Sequence, residues 1–248
     1  MANALILRGA GINCNNETEF ALKMAGASTR QAHINELITG KQKLSDFDIF
    51  VIPGGFSYGD DLGAGKILAN QIKHNLKDQI KAFVDDDKLI IGICNGFQVL
   101  VKTGLLPGNF NATLTSNVKE KFEDRWIYIK SASKNRFNKD ISIMHVPVNH
   151  GEGRFIFEDI QKKQIAFQYC LQNGDLANDY PENPNGSTMA IAGVTNSKGN
   201  IIGLMPHPEK AILEHQHPDW TRIKPDTSAF TLFRNIVEHT TNKNKNRN

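Results

Sequence analysis

The order of apolar runs and helical patterns in the N-terminal half constrains the fold of this 248-residue chain more than any other feature. Apolar runs typical of buried strands occupy residues 4–7, 47–52 and 88–93. Patterns of an amphipathic helix lie between them, at residues 17–25 and 65–84. Because a β-α-β-α-β order implies right-handed crossovers, it predicts a mainly parallel central sheet flanked by helices.

The pattern changes in the second half of the chain. Short strand patterns separated by turns lie at residues 126–129, 154–157, 165–169 and 188–194, and a last strand pattern at 199–205 precedes a helix at 228–239. Short strands joined by turns indicate an additional antiparallel segment. We therefore predict an α/β fold with one domain over residues 1–240 and a disordered basic tail at 241–248.

Composition excludes several classes of function. Apolar residues make up 40% of the chain and charged residues 22%, which is ordinary for a soluble globular protein. A formal net charge of +3 is too small to indicate binding of nucleic acid. The sequence shows neither an apolar run of membrane-spanning length nor a leader pattern, so we expect a cytoplasmic protein without a membrane partner. The three widely spaced cysteines, Cys14, Cys94 and Cys170, form neither a disulfide framework nor a zinc-binding spacing, so no metal is predicted.

Cys94 stands at the end of the third apolar run, between Gly92 and Gly96. Small residues on both sides let the chain turn sharply from a strand into a helix, and such a turn can present a nucleophile. The helix N-terminus would place free N–H groups and partial positive charge near the sulfur, which favours the thiolate. A lone cysteine is more often a small buried hydrophobe, but this setting favours a reactive thiol.

A base for this thiol is predicted at His207, which lies between two prolines after the strand pattern at 199–205. In an extended backbone, residues i and i+2 point to the same side, so Glu209 can bind one imidazole nitrogen and leave the other facing the thiol. Cys94, His207 and Glu209 would then be the nucleophile, the base and the orienting carboxylate of covalent catalysis. Without Cys94, a proline-rich loop with a solvated histidine would be the better interpretation.

A glycine-rich loop at residues 53–60 follows the second strand pattern. In a parallel sheet this loop would lie next to the Cys94 turn. The backbone N–H groups of Gly55 and Asn95 are therefore candidates to receive the negative charge that builds on a carbonyl oxygen during acyl transfer. A plain structural turn is the alternative. Nucleotide-binding interpretations of the glycine-rich loops fail, because both candidate motifs carry another residue where a glycine is required.

Together these motifs resemble those of class I glutamine amidotransferases, which hydrolyse glutamine at a cysteine on a strand-to-helix turn. The segments 92–98 and 206–209 are similar to the catalytic triad of that family. The segments 53–65, 149–154 and 183–187 further resemble the glutaminase part of phosphoribosylformylglycinamidine synthase, an enzyme of purine synthesis. The resemblance covers most of the chain and implies a flavodoxin-like amidotransferase fold.

The resemblance also assigns roles residue by residue. It makes Cys94 the nucleophile, His207 the proton carrier and Glu209 its orienting carboxylate. It further implies that four residues hold glutamine, namely Gln98, Asn149, Gly151 and Glu152. His150 is a competing base by residue type, but the resemblance assigns that task to His207.

The partners follow from the same resemblance. Ammonia released from L-glutamine would pass to a large synthetase subunit that uses ATP and Mg, accompanied by the small accessory subunit found where the enzyme is split. No cofactor is expected in this chain. Two other functions stay open at this point: a related cysteine hydrolase of the peptidase or chaperone-like group, and a catalytically silent subunit that regulates a synthetase.

Overall fold

The computed structural model describes residues 1–108 and 110–245, and within these ranges the chain forms eleven β-strands and six α-helices. The strands are β1 (Asn3–Arg8), β2 (Ser28–His33), β3 (Ile49–Ile52), β4 (Leu89–Ile93), β5 (Ala112–Thr115), β6 (Glu123–Ser131), β7 (Ile143–His150), β8 (Arg154–Phe157), β9 (Ile165–Cys170), β10 (Ile191–Thr195) and β11 (Ile201–Leu204). The helices are α1 (Asn15–Met24), α2 (Ile34–Ile38), α3 (Lys66–Asn75), α4 (Lys77–Asp85), α5 (Asn95–Thr103) and α6 (Ser228–Lys245). None of these helices is long and apolar enough to cross a membrane.

Nine strands of the described ranges form one sheet in the order β2-β1-β3-β4-β11-β10-β9-β6-β7. Neighbouring strands from β2 to β11 are parallel, and we call these five strands the parallel half. Neighbours from β11 to β7 are antiparallel, and we call β10, β9, β6 and β7 the antiparallel half. Strands β5 and β8 form a separate antiparallel pair. The predicted α/β fold is confirmed, with a parallel sheet region, flanking helices and an antiparallel segment.

The strand order of the parallel half reverses between β1 and β3, and the edge of the sheet at this reversal is where a ligand crevice is expected. The chain passes from β1 outward to β2 but from β3 in the opposite direction to β4. Right-handed crossovers therefore place α1 and the α3–α4 pair on opposite faces. The carboxyl ends of β1 and β3 flank this change of direction, where open α/β sheets bind their ligands. The loops after β1, β3, β4 and β11 meet at the same edge.

The central strands are buried on both sides. Every residue of β3 and of β4 is buried, as expected for parallel strands covered by helices. Helix α5 packs on β4, β3 and β11 and also contacts α3, while α1 contacts α6. These layers hold the ends of β3, β4 and β11 firmly in place, and those ends position the candidate site.

The antiparallel half curves back towards the same crevice. Three strands separate β7 from β11 in the sheet, yet the N–H of His207, just after β11, donates to the carbonyl oxygen of Pro147 in β7 at 2.9 Å. The thiol of Cys94 likewise lies 3.5 Å from the carbonyl oxygen of Asn149 in β7. The last strand of the sheet thus closes one side of the crevice.

Three strands, one short helix and one helix break differ from the sequence predictions. Strand β2 lies at one edge of the nine-stranded sheet and β7 at the other, and β5 belongs to the separate pair; none of the three was predicted. The five-residue helix α2 was not predicted either. The predicted helix at 65–84 consists of two helices, α3 and α4. They are separated at Leu76, whose φ of −120° departs from helical geometry. The break lets each helix turn its own apolar face towards the core.

The predicted disordered tail is wrong for residues 241–245, which form the last part of α6. The ammonium group of Lys243 donates to the carbonyl oxygens of Asp86 at 2.7 Å and Asp87 at 2.6 Å. It also lies 3.5 Å from the Asp87 carboxylate. These contacts hold the end of the helix against the turn before β4. Residues 246–248 of the predicted tail lie outside the described residues.

Candidate active site

Cys94 lies between β4 and α5 in a backbone conformation that residues with side chains rarely adopt. Its φ is 51° and its ψ is −107°, and such a conformation costs roughly 1–3 kcal/mol. Close packing maintains the turn, because a Cβ atom at Gly96 would overlap the carbonyl oxygen of Ile52. The N–H of Cys94 donates to the carbonyl oxygen of Leu204 at 2.8 Å. The expected strand-to-helix turn is present and directs the thiol towards the carbonyl oxygen of Asn149.

His207 and Glu209 form a buried pair in the loop after β11. Nδ1 of His207 lies 2.6 Å from Oε1 of Glu209, and neither side chain is more than 2% exposed. The expected extended backbone is wrong here: Pro208–Lys210 forms a single 3₁₀ turn. The turn, rather than the alternation of a strand, brings the carboxylate under the imidazole.

The surroundings of His207 favour its protonated form. Burial lowers the pKa of His207, but the Glu209 carboxylate and the Cys94 and Cys14 groups more than offset this and raise the pKa well above its ordinary value. Nε2 of His207 is buried and has no hydrogen-bond partner within the described ranges. This nitrogen is therefore available to exchange a proton with a nearby sulfur or a bound substrate.

Gly54 shows how closely the groups of the site approach one another. A Cβ atom at Gly54 would lie 2.7 Å from Cε1 of His207, 3.3 Å from Sγ of Cys14 and 3.4 Å from Cβ of Cys94. Groups from three loops thus surround one point at the end of β3. The structure brings Cys94 and His207 together, and it adds Cys14, which the sequence analysis did not assign to the site.

The two candidate oxyanion donors lie on either side of this point. Asn95 is the first residue of α5, where backbone N–H groups have no partner within the helix. Gly55 follows Gly54 and has a φ of 147°, and a Cβ atom there would lie 2.5 Å from the carbonyl oxygen of Gly11. Oδ1 of Asn95 accepts the N–H of Ser57 at 3.3 Å, so it links the two halves of the candidate oxyanion hole.

Gln98 and Glu152 lie together next to the start of α5. Nε2 of Gln98 donates to the carbonyl oxygen of Glu152 at 2.5 Å, and Oε1 of Gln98 accepts Nδ2 of Asn95 at 2.9 Å. The carboxylate of Glu152 accepts the N–H of Ala64 at 3.2 Å. The side chain of Gln98 therefore joins the antiparallel half to the Cys94 turn. Glutamine binding by these two residues stays a prediction.

Asn149 approaches the thiol through its backbone. The Cys94 thiol donates to its carbonyl oxygen at 3.5 Å. The side chain of Asn149 instead donates to the carboxylate of Asp124 and accepts Nζ of Lys210 at 2.9 Å. A role of Asn149 in holding glutamine stays a prediction. The backbone carbonyl oxygen of Asn149 could fill this role, whereas its side-chain amide is turned away.

The competing base His150 is part of a buried polar network. Its Nδ1 lies 3.1 Å from Oδ1 of Asn117, and its Nε2 lies 3.5 Å from Nδ2 of Asn185. Burial, reinforced by His207, lowers the pKa of His150 to about 3. The N–H of Asn117 also donates to the carbonyl oxygen of Gly151 at 2.9 Å. His150 and Asn117 therefore support the loop that carries Gly151, and Gly151 remains a predicted pocket residue.

Two residues of the site escaped the sequence analysis. Cys14 ends the loop that connects β1 to α1 and directly precedes α1. Asp60 lies in the loop after β3, where Oδ1 accepts the N–H of Gly65 and Nδ2 of Asn95, both at 3.3 Å. Burial and the neighbouring Glu152 raise the pKa of Asp60. Asp60 holds the glycine-rich loop against α5.

Known proteins share this fold and these sequence features. A family profile for CobB/CobQ-like glutamine amidotransferase domains matches residues 1–240. The phosphoribosylformylglycinamidine synthase subunit PurQ of Methanococcus maripaludis strain C5 is 44% identical, and the match covers 95% of this chain and 97% of that protein. The chain belongs to the PurQ family. The subunit PurQ of Dehalococcoides mccartyi is 43% identical, with 94% of this chain and 96% of that protein covered.

Solved structures agree with membership of the PurQ family. A chain of the structure of PurLQS from Thermotoga maritima matches with a TM-score of 0.77 and 29% identity, covering 96% of this chain and 99% of that chain. A glutamine amidotransferase of the same organism matches with a TM-score of 0.58 and 16% identity over 96% of this chain and 97% of that chain, which shows the fold alone. The predicted family and the predicted class of enzyme, a glutamine amidotransferase, are confirmed. The alternative of a peptidase or chaperone-like hydrolase is set aside.

Proposed function

We propose that this chain is the glutaminase subunit of a phosphoribosylformylglycinamidine synthase and that Cys94, His207 and Glu209 hydrolyse L-glutamine. One observation carries the assignment of residues: the buried pair of His207 and Glu209, joined at 2.6 Å, faces a cysteine held on a strained strand-to-helix turn. A nucleophile, a base and an orienting carboxylate in this order are the parts that covalent acyl transfer needs.

In the first half of the reaction, the Cys94 thiolate attacks the side-chain carboxamide carbon of glutamine. The carbonyl oxygen becomes an oxyanion, which the N–H groups of Gly55 and Asn95 receive. Protonated His207 gives its proton from Nε2 to the departing nitrogen, and ammonia leaves as the tetrahedral intermediate collapses to a γ-glutamyl thioester. Glu209 stabilises the imidazolium through Nδ1 and keeps Nε2 directed at the reacting atoms.

In the second half, a water molecule replaces ammonia at the same position. His207 is now neutral and accepts a proton from the water as it attacks the thioester carbon. The carbon–sulfur bond breaks, Cys94 returns as the thiolate, and glutamate leaves. We assign Gln98, Glu152, Asn149 and Gly151 to holding the substrate.

The ammonia needs an acceptor, and the proposed acceptor lies in another chain. The match to a chain of PurLQS from Thermotoga maritima supports an assembly with a synthetase partner. We propose that the large synthetase subunit uses ATP and Mg to incorporate the ammonia and that a small accessory subunit completes the complex.

The decisive experiment is the substitution Cys94→Ala in the assembled complex. We expect it to abolish glutamine-dependent synthesis, because the thioester cannot form, while synthesis from added ammonium salt continues at the native rate. Cys170→Ala, which removes a buried cysteine in β9, serves as the matched control and keeps both activities. Glutamine hydrolysis by the Cys94→Ala complex would reject the assignment of the nucleophile.

A silent regulatory subunit, the remaining alternative, makes a different prediction. A glutamine analogue with an electrophilic carbon in place of the carboxamide labels the thiol of a competent glutaminase. We expect covalent labelling of Cys94 by mass spectrometry, with loss of glutamine-dependent synthesis in proportion to labelling. A complex that supports synthesis from glutamine while Cys94 stays unlabelled would contradict the proposed mechanism.

A further inference from the structure

The loop after β3 has a backbone that needs support from its surroundings. Tyr58, Gly59 and Asp60 have φ values of 56°, 69° and 57°, so three consecutive residues lie in the left-handed region. Residues with a side chain rarely adopt this region, although aspartate and asparagine enter it more readily than most. Such a conformation persists only where the surrounding structure imposes it. The same loop carries Gly55, one of the two proposed oxyanion donors.

Two hydrogen bonds next to Gly55 impose the shape of the loop. The N–H of Phe56 donates to the carbonyl oxygen of Gly11, in the loop after β1, at 2.8 Å. The N–H of Ser57 donates to Oδ1 of Asn95, at the start of α5, at 3.3 Å. The first bond involves backbone alone, whereas the second depends on a side chain. The orientation of the Asn95 amide therefore governs how the glycine-rich loop lies against the helix that carries the second oxyanion donor.

Two acceptors determine the orientation of the Asn95 amide. Asn95 is only 1% exposed. Its Nδ2 donates to Oδ1 of Asp60 at 3.3 Å and to Oε1 of Gln98 at 2.9 Å. Because an amide carries two N–H donors on its nitrogen and only acceptor sites on its oxygen, a flipped amide would place its oxygen against two other oxygens. Asp60 and Gln98 therefore direct Oδ1 of Asn95 towards the N–H of Ser57.

A second bond of Asp60 closes a ring of hydrogen bonds. Oδ1 of Asp60 also accepts the N–H of Gly65 at 3.3 Å, and the adjacent N–H of Ala64 donates to Oε2 of Glu152 at 3.2 Å. On the other side of the ring, Nε2 of Gln98 donates to the carbonyl oxygen of Glu152 at 2.5 Å. The ring joins the loop after β3, the start of α5 and the loop after β7. Loss of the Asp60 side chain would open it on the side of the glycine-rich loop.

The neighbours of Asp60 use its oxygen rather than its charge. Burial raises the pKa of Asp60, and the Glu152 carboxylate adds to this rise. The N–H of Gly65, the Asn95 amide and the Lys102 ammonium group act in the opposite direction but do not cancel it. The surroundings therefore disfavour a negative charge here, whereas two N–H donors require an acceptor. The substitution Asp60→Asn would keep an acceptor oxygen at this place without the charge.

We propose that Asp60 is a positioning residue of the glutaminase, which acts through the Asn95 amide to hold the oxyanion-binding N–H groups of Gly55 and Asn95 in their relative places. This role rests on the proposed function. Oxyanion donors are effective only at the position that the oxyanion takes in the reaction, and a displacement of about 1 Å can cost about 10²-fold in rate. Because Asp60 acts through another residue rather than on the substrate, its loss should lower kcat and leave KM little changed.

The first test compares Asp60→Ala with Asp60→Asn in the assembled complex. Asp60→Ala removes the acceptor and should lower kcat with glutamine by about 10²-fold. Asp60→Asn should bring kcat to within about tenfold of native, since a neutral acceptor bonds less strongly than a carboxylate. Synthesis from ammonium salt should stay native in both, and Asp61→Ala, at the adjacent exposed aspartate, is the matched control. A native kcat in Asp60→Ala, or equal losses in the two variants, would overturn the proposal.

The second test measures the oxyanion site directly and uses Asp60→Gly, which removes the side chain from a backbone that glycine adopts without strain. The probe is an analogue of glutamine with an aldehyde in place of the carboxamide. The Cys94 thiolate adds to the aldehyde carbon, and the electron pair of the C=O bond moves to the oxygen, which then occupies the oxyanion position.

We expect the inhibition constant of the aldehyde to rise in Asp60→Gly by about the factor by which kcat falls, since both depend on the oxyanion donors. Tight inhibition of the Asp60→Gly complex despite a reduced kcat would overturn the role of Asp60 alone. Aldehyde inhibition that is unchanged in Cys94→Ala would reject the proposed function and the role of Asp60 with it.

Discussion

The two halves of the sheet contribute to the candidate site in different ways. The parallel half supplies the side chains that we propose to react, at the carboxyl ends of its strands, namely Cys94 after β4 and the His207–Glu209 pair after β11. The antiparallel half supplies backbone, because Asn149 meets the thiol through its carbonyl oxygen and Glu152 meets Gln98 through its own. The parallel half thus carries the groups proposed for the chemistry, and the antiparallel half shapes the pocket around them.

The halves also differ in how they are stabilised near the site. Around Cys94, the packing of apolar strands and of glycine against backbone fixes the turn. Near Glu152, a buried network of polar side chains instead fixes the loop after β7. The network consists of Asn117, His150, Asn185 and Ser187. Buried polar networks are sensitive to the loss of any one member, because the remaining groups are then left without partners.

The largest effect is expected from Glu209→Gln in the parallel half. The amide keeps the shape but removes the charge that stabilises the imidazolium, and comparable changes in triad enzymes lower kcat by about 10⁴. Because Glu209 raises the pKa of His207, the substitution should also shift the corresponding limb of the pH–rate profile to lower pH. Steady-state rates with glutamine measure this, and ammonia-dependent synthesis is the control. A native kcat in this variant would show that Glu209 does not support His207 in the reaction.

An intermediate effect is expected from Asn117→Ala, in the loop between β5 and β6, because this side chain supports the end of β7 in the antiparallel half. Its side chain bonds the carbonyl oxygens of Lys121 and His150 and the N–H of Gly153. Each buried group left unpaired costs about 1–3 kcal/mol, so the melting temperature should fall by several degrees. We expect KM for glutamine to rise more than kcat falls, because the loop forms the pocket.

The control for this prediction is Asn111→Ala, which removes an asparagine that is exposed and bonded only to Glu158 in the described ranges. It should change the free energy of unfolding by no more than about 0.5 kcal/mol. A fall in kcat without a change in KM for Asn117→Ala would show that the antiparallel half takes part in the chemistry. The proposed division of roles between the two halves would then be wrong.

The smallest effect is expected from Asn149→Ala. Its side chain is turned towards Asp124 and Lys210, whereas the atom next to the thiol belongs to the backbone and survives the substitution. We expect kcat/KM for glutamine to change by less than about tenfold, since the bonds lost involve exposed or part-buried partners. A loss as large as that of Glu209→Gln would show that the amide of Asn149 contacts the substrate directly.

The parallel half was largely predictable because its strands, apart from β2, are apolar and its helices are periodic. Two strands at the edges of the sheet, one in each half, escaped prediction for local reasons. Strand β2 reads Ser-Thr-Arg-Gln-Ala-His and is partly exposed along most of its length, as an edge strand can be. Strand β7 contains Pro147, which removes a backbone donor and masks a strand pattern, yet the edge of the sheet tolerates it.

The candidate site was predictable where chemistry and local turn coincide. Glycines mark the Cys94 turn, and the segment 206–209 contains both the histidine and its carboxylate. The geometry inferred for that segment was nevertheless wrong, because a 3₁₀ turn cannot be told from an extended loop by two prolines alone. Cys14 could not be assigned because its proximity to His207 depends on how the loops after β1, β3 and β11 meet, which no short stretch of sequence records.

The bond from the Cys94 N–H to the carbonyl oxygen of Leu204 ties β4 to β11 at the very point where the two reactive residues depart from their strands. The sulfur of Cys94 and the imidazole of His207 therefore both extend from one rigid pair of hydrogen-bonded strands, so neither residue can move without the other. Changes in the activity of this enzyme, whether by evolution or by redesign, therefore have to come from the loops after β1 and β3. The distance between Cys94 and His207 is fixed by the two paired strands.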